Sequence, residues 1–389
     1  MKSQFIFLYL AVFITILGFG MVFPLLPFYA QQFGASPSQI GFLAASFSIG
    51  QFFAAPIMGR ISDRYGRKPV LIGALLGTSI AFILFGMAKS LTWLFISRTL
   101  HGICTSGAFP IASAYIGDTT SKEERMKYMA RLTAMLSFGF IVGPAAGGLL
   151  SEINWSLPFF TASGVAFLNS IFILIFLPES ITQKSERLVI KEGFINIKAV
   201  LHGFKGEFGT LFFLLSAWAF AISNFQVALP LFAEEKFHYT QFQNSLIFTV
   251  TGTVGAVVQW FILPRFSQKF KEISIAASGT LIMALGQFLI SISPSARLMI
   301  FFASISTMGG SLLRPTINSI LSKETKEGQG TTMGLAFSFE SLGRVAGPLA
   351  AAFLLANFGT QSQFILTSLI LVLGFFLILN FLRGNQKSS

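Results

Sequence analysis

The sequence predicts an all-α membrane protein of twelve transmembrane helices in two six-helix pseudo-repeats, and three observations predict it. Of the 389 residues, 53% are hydrophobic and only 11% charged, against about 25% charged in an average soluble domain. A chain so apolar takes lipid as its solvent, because as a soluble globule it would expose large greasy patches. Twelve apolar stretches each approach the roughly 20 residues that a helix needs to cross about 30 Å of hydrocarbon. The second half of the chain also echoes the first at a nearly constant offset.

The first six stretches run over 5–29, 38–58, 70–88, 91–117, 128–150 and 157–177. The first is longer than a signal-peptide core and is followed by many like it, so it reads as a retained span. The longest polar interruption, 178–208, reads as a cytoplasmic central loop between an N-terminal half, 1–177, and a C-terminal half, 209–389. The second six stretches run over 209–232, 243–263, 273–292, 297–320, 330–356 and 361–382. Cys104 is the single cysteine, so no disulfide forms within the chain.

Twelve spans put both termini on one side, and the cations say which. Of 27 Lys and Arg residues, 21 fall at the termini, in the central loop or in the short loops on that side. Only Lys89, Lys236 and Arg297 fall on the other side, and Arg98, Arg314 and Arg344 lie inside spans. This bias makes both termini cytoplasmic. The +12 net charge therefore marks no nucleic-acid binder, because its cations are scattered next to spans and form no single face.

The repeat is carried by three matches. Leu26-Pro27-Phe28-Tyr29-Ala30 closes span one and Leu229-Pro230-Leu231-Phe232-Ala233 closes span seven. Ser137-Phe138-Gly139 with Gly143-Pro144 in span five recurs as Ser341-Leu342-Gly343 with Gly347-Pro348 in span eleven. Pro110 in span four answers Pro315 in span ten. Two repeats in the same orientation imply a substrate site near the midplane and a rocking, alternating-access cycle.

The turn between spans two and three reads Gly59-Arg60-Ile61-Ser62-Asp63-Arg64-Tyr65-Gly66-Arg67-Lys68. It is a reversal needing Gly66, with Asp63 set among Arg60, Arg64, Arg67 and Lys68 as a latch of charge-assisted hydrogen bonds. Beyond it stand Arg98-Thr99-Leu100-His101-Gly102, the run Gly139 to Gly148, and Leu177-Pro178-Glu179-Ser180. Together these resemble the signature elements of the major facilitator superfamily, and in particular its twelve-span drug:proton antiporter branch of tetracycline and multidrug exporters. His101 stands where that family usually has Gln. The resemblance implies the major facilitator fold, proton-coupled efflux, and a cytoplasmic charge network of Asp63, Arg67 and Asp118 that stabilises the outward-facing state. Gly139, Gly143 and Gly147 make a flat stripe beside Pro144 and Gly148, with two readings open: close helix packing, or a role specific to antiport.

Ionisable groups inside spans cost about 2.5–3.5 kcal/mol each at mid-helix on insertion scales, so each is a functional candidate. Arg98 and His101 share one face of span four. Arg98 reads either as a structural cap on neighbouring carbonyls or as a coupling residue, and His101 as a proton relay or a packing histidine. Glu340 is the only acidic residue buried in any span, about mid-bilayer, and Arg344 follows one turn later. The pair reads as a permanent internal ion pair or as a protonatable switch whose proton release follows the approach of Arg344 or Arg314. Arg314, before Pro315, reads as snorkelling to the interface or as a cavity anchor for an anionic or carbonyl-bearing group.

Departures from the family matter equally. Tetracycline-type exporters carry an acid about where Thr15 stands, and cation exporters carry one where Asn224, Gln226 or Ser311 stands. Three arginines to one glutamate inside the spans disfavour a strongly cationic substrate. No Walker loop, metal-ligand cluster or nucleophile–base pair is legible, so neither an ATP-driven pump nor an enzyme is expected. The expectation is a monomeric exporter of small amphiphilic compounds in the bacterial inner membrane, without metal or cofactor and driven by the proton gradient. A metabolite facilitator or symporter, and a lipid-handling flippase, are the alternatives. The lipid bilayer and a small, not strongly cationic substrate are its expected partners, and nucleic acid is not.

Overall fold

A computed structural model describes residues 4–181, 208–324 and 329–386; most of the central loop and the extreme termini lie outside the described residues. The N-terminal part forms α1 (Gln4–Val22), α2 (Leu26–Gln31), α3 (Pro37–Tyr65), α4 (Arg67–Gly86), α5 (Leu91–Thr105), α6 (Ala108–Thr119), α7 (Lys122–Ile153) and α8 (Leu157–Phe176). The C-terminal part forms α9 (Gly209–Phe237), α10 (Gln241–Val257), α11 (Leu263–Lys269), α12 (Glu272–Ser291), α13 (Ala296–Glu324), α14 (Gln329–Asn357) and α15 (Ser362–Gln386). Among the described residues there is no strand. Eleven helical segments there are long and apolar enough to cross a membrane. The α5–α6 pair supplies the twelfth crossing, and the chain is a multi-pass membrane protein. Phe53, Ile96, Ile175, Phe301, Phe353 and Leu369 lie exposed on these helices, as side chains facing lipid should.

Three spans depart from the expected unbroken helices. Span four is interrupted at Ser106–Gly107, and span one at Phe23–Leu25. Prolines lie at both breaks, Pro24 within the first with Pro27 just after it, and Pro110 just after the second, and none can donate to the carbonyl one turn back. Span eight passes through a π-helical turn, Val258–Ile262, just before Pro264. The extra residue in that turn absorbs the ladder bond Pro264 cannot make. Conversely, the expected turn at 59–68 is almost wholly helical. α3 runs to Tyr65 and α4 begins at Arg67, leaving Gly66 alone at φ 112°.

The described residues fall into two compact units, drawn from Met1–Ser36, Ser46–Phe194 and Thr240–Thr249, and from Pro37–Ala45, Ile195–Tyr239 and Val250–Ser389. The start of α3 therefore belongs with the second unit, where Ser38 donates to the Ala352 carbonyl at 3.0 Å. Both units use the same pairing scheme. In the first, α1 packs on α7 and α8, and α4 on α5 and α8; in the second, α9 packs on α14 and α15, and α12 on α13 and α15. The tandem repeat read from the sequence is thus a repeat of packing partners.

Small residues make these approaches possible. A Cβ on Gly143 would lie 2.7 Å from the Leu17 carbonyl oxygen, and one on Gly147 2.6 Å from that of Met21. Gly139 meets Ile16 and Leu17, so the stripe of α7 is the seat of α1. Gly343 and Gly347 seat α14 against Ser216, Phe220 and Ser223 of α9 in the same way. Gly148 faces elsewhere, onto Phe242 and Ser245. Without a hydrophobic force between helices in lipid, such close contact is what holds them together. Gly143→Leu is expected to lower the thermal midpoint of the detergent-solubilised protein, at a cost of about 1–3 kcal/mol for overpacking. Gly164→Leu, whose Cβ would meet open space, should leave the midpoint unchanged or raised; equal effects would contradict this packing.

Candidate functional site

In the second unit, α14 carries Glu340 into the helix interface, where 3% of its side chain stays exposed. Arg314 reaches it from α13 with both arms of its fork. Its Nε donates to Glu340 Oε1 at 2.8 Å and its Nη2 to Oε2 at 3.1 Å. Arg344, one turn along α14, donates to Oε2 at 3.5 Å, the longest contact of the three. Both guanidinium groups lie over the Trp218 ring of α9, at 4.9 Å for Arg314 and 5.9 Å for Arg344. The Trp218 Nε1 is buried without an acceptor among the described residues. The carboxylate is sealed while each arginine side chain keeps 40% exposure, so the accessible side of the cluster carries net positive charge.

In the first unit, α5 buries Arg98 and His101. Arg98 Nη1 donates to His101 Nδ1 at 3.3 Å, and its guanidinium lies 4.5 Å from the Phe47 ring centre and 5.6 Å from that of Phe19. His101 sits between the rings of Phe47 and Phe82. Among the described residues no carboxylate or neighbouring carbonyl accepts from Arg98, and its Nε and His101 Nε2 have no partner. The rings stand in for a counter-ion. The polar positions of spans one and seven bond nearby only in part, since the Asn224 Oδ1 is buried without a donor among the described residues. Thr15 donates to the Ala11 carbonyl, and Asn224 Nδ2 donates to Thr367 Oγ1 at 3.1 Å. Gln226 is half-buried.

The Gly66 reversal gathers a third cluster. Arg67 pairs with Asp63 at 2.5 Å, donates through Nε to Asp118 at 3.1 Å, and donates to the Ser62 hydroxyl at 2.6 Å. Asp118 also accepts from Ser180 at 3.1 Å. Glu179 accepts from the Arg67 amide at 2.9 Å and the Lys68 amide at 3.2 Å, so a carboxylate from beyond α8 caps the positive end of α4. A Cβ at residue 66 would collide with that carboxylate, which makes glycine necessary there twice over. Arg64 turns away to lie over Tyr65, and Gly59 meets nothing within 4 Å of its Cβ position.

Residues 8–344 and 211–389 both match the profile of the Major Facilitator Superfamily. The chain belongs to that superfamily. It is 32% identical to multidrug resistance protein 1 of Bacillus subtilis, over 88% of this chain and 87% of that protein. It is 28% identical to the quinolone resistance protein NorA of Staphylococcus aureus, over 90% and 89%. Among solved structures, the human organic anion transporter MFSD10 (TETRAN) superposes with a TM-score of 0.74 at 21% identity, covering 96% and 98%, which is likeness of fold.

Several partners in this superfamily member were not legible beforehand. Trp218 carries no spacing signal, and Glu179 stands out only as part of the Leu177-Pro178-Glu179-Ser180 run. The pair Glu272–Lys323, joined at 2.9 Å with Ser319 donating to Glu272 at 2.7 Å, had a signal that arithmetic finds. Glu272 lies 205 residues after Arg67, and Lys323 lies 205 after Asp118. The latch of the first repeat therefore recurs in the second with its charges exchanged.

The Glu340 cluster is the one whose energetics are most exposed to substitution. Removing one partner of a buried pair costs about 3–5 kcal/mol, whereas replacing both by apolar groups is often nearly neutral. Arg314→Met is therefore expected to lower the thermal midpoint more than Arg314→Met/Glu340→Met does. Additive effects in that double-mutant cycle would show that the two side chains do not interact.

Proposed function

We propose that the chain exports small amphiphilic compounds from the cell in exchange for protons, by alternating access, as a monomer in the bacterial inner membrane with both termini cytoplasmic. The observation that carries this reading is Glu340, the one carboxylate buried among the described residues, held at mid-span by an arginine from another helix, in a chain similar over nearly all its length to multidrug and quinolone resistance proteins. The proton gradient is the energy source, and no metal or cofactor is required.

The chemistry follows from the fork of Arg314. Ionised Glu340 ties α13 to α14 through two charge-assisted bonds. A proton on Glu340 removes the charge that holds the fork, frees Arg314, and leaves the two helices able to rearrange. A neutral ligand that donates a hydrogen bond to Glu340 favours the carboxylate and so competes with the proton, which is the linkage exchange requires. Arg98 and His101, with no acidic group paired to them among the described residues, serve as packing groups of the first unit. The latch at Gly66 and its counterpart at Glu272 hold helix ends at the cytoplasmic side.

The test uses proteoliposomes with a pH-sensitive dye inside and an imposed proton gradient. A neutral amphiphile is expected to trigger proton movement in the native protein and to trigger none with Glu340→Gln, while a dication triggers little in either. Substrate flux in both proteins without any proton movement would make the chain a facilitator and Glu340 a structural ion pair.

A further inference from the structure

We propose that Arg344 and Trp218 form a subsite for an aromatic monoanion, and that an anion bound there draws a proton onto Glu340, so that ligand charge sets the sign of proton linkage. The inference rests on reading the Glu340 cluster as the ligand site of the exporter. It begins with how unevenly the two arginines are engaged. Arg314 spends Nε and Nη2 on the two oxygens of Glu340, at 2.8 and 3.1 Å. Arg344 has only the 3.5 Å contact to Oε2, at the limit of a hydrogen bond, and keeps 40% of its side chain exposed.

Two guanidinium groups against one carboxylate leave one positive charge uncompensated. That charge lies above an indole ring whose Nε1 donor has no acceptor. A planar fork held to Glu340 by a single 3.5 Å contact, beside a half-buried indole, matches an aryl carboxylate: the carboxylate takes the fork in bidentate fashion while the ring packs against the indole. Glu340 already shows on Arg314 the geometry such a carboxylate would adopt. A cation meets net repulsion here, since two guanidinium groups outnumber the cluster's one carboxylate.

The linkage follows from what surrounds Glu340. The charged groups that reach it are Arg314 from α13 and Arg344 from α14 itself. From α9 comes Trp218, with no titratable side chain between Gly209 and Ala233, and α15 has none between Ser362 and Leu382. A ligand carboxylate on Arg344 therefore draws away one of only two cations and brings a negative charge near. Both effects favour the protonated form of Glu340. A neutral hydrogen-bond donor does the reverse, so an anion loads with a proton where a neutral ligand loads against one.

Calorimetry on the full chain in detergent, in phosphate and in Tris buffer, reads affinity and proton uptake together. The probes are 2-naphthoate, 2-naphthamide and 2-naphthyl-trimethylammonium. Naphthoate is expected to bind at least about tenfold tighter than the other two and to take up protons, while naphthamide releases them. Arg344→Gln should bring the naphthoate-to-naphthamide ratio close to one, Arg344→Lys should restore part of it, and Glu340→Gln should bind naphthoate with no proton uptake. Equal affinities, or proton release by naphthoate, would overturn the anion subsite while leaving the exporter reading standing. Absence of binding by all three probes would overturn the ligand-site reading beneath it as well.

Discussion

A carboxylate at the middle of a membrane-spanning helix is tolerable only when its charge is answered, and Arg314 answers Glu340 with both arms of its fork. That single pairing fixes much around it. It joins α13 to α14, sets two guanidinium groups over one indole ring, and leaves a surplus positive charge beside it. The tie between the two helices rests on the charge of this one carboxylate. Buried ion pairs are weak devices for stability but strong ones for switching, because both partners must be satisfied or both released.

The pairing depends in turn on how closely the helices lie. Gly343 and Gly347 bring α14 onto α9 and so place Glu340 and Arg344 beside Trp218. Gly279 and Gly309 let α12 meet α13, the helix that carries Arg314. The same construction in the first unit, with Gly139, Gly143 and Gly147 of α7 against α1, serves packing, and no charged group of α7 lies along that stripe. Two repeats that share a packing scheme have thus diverged in chemistry: one encloses an arginine and a histidine among rings, the other an acid between arginines.

Much of this was legible in the sequence, because lipid imposes a simple rule on length and composition. The spans, the repeat and the Gly66 reversal all follow from it or from backbone sterics. The breaks were not legible, since helices break beside Pro24 and Pro27 and beside Pro110, whereas Pro56, Pro144, Pro230, Pro315 and Pro348 sit inside unbroken ones. Whether a neighbour re-satisfies the freed carbonyl is a tertiary matter. Likewise, the spacing along one helix pointed to Arg344 as partner of Glu340, but the shorter and bidentate bonds come from Arg314 on another helix. Helical periodicity finds contacts within a helix; it is blind to which face a second helix presents. Trp218 escaped for the same reason.

Exchange of ligand for proton requires that Glu340 change protonation as ligand binds. Infrared difference spectroscopy on reconstituted protein reports this directly, through the carbonyl stretch of a protonated carboxyl group. A neutral amphiphile is predicted to remove such a band from acid-equilibrated native protein, and Glu340→Gln is predicted to show no such change. A ligand-induced spectrum free of any carboxyl band in the native protein, across the pH range in which the protein remains folded, would contradict it.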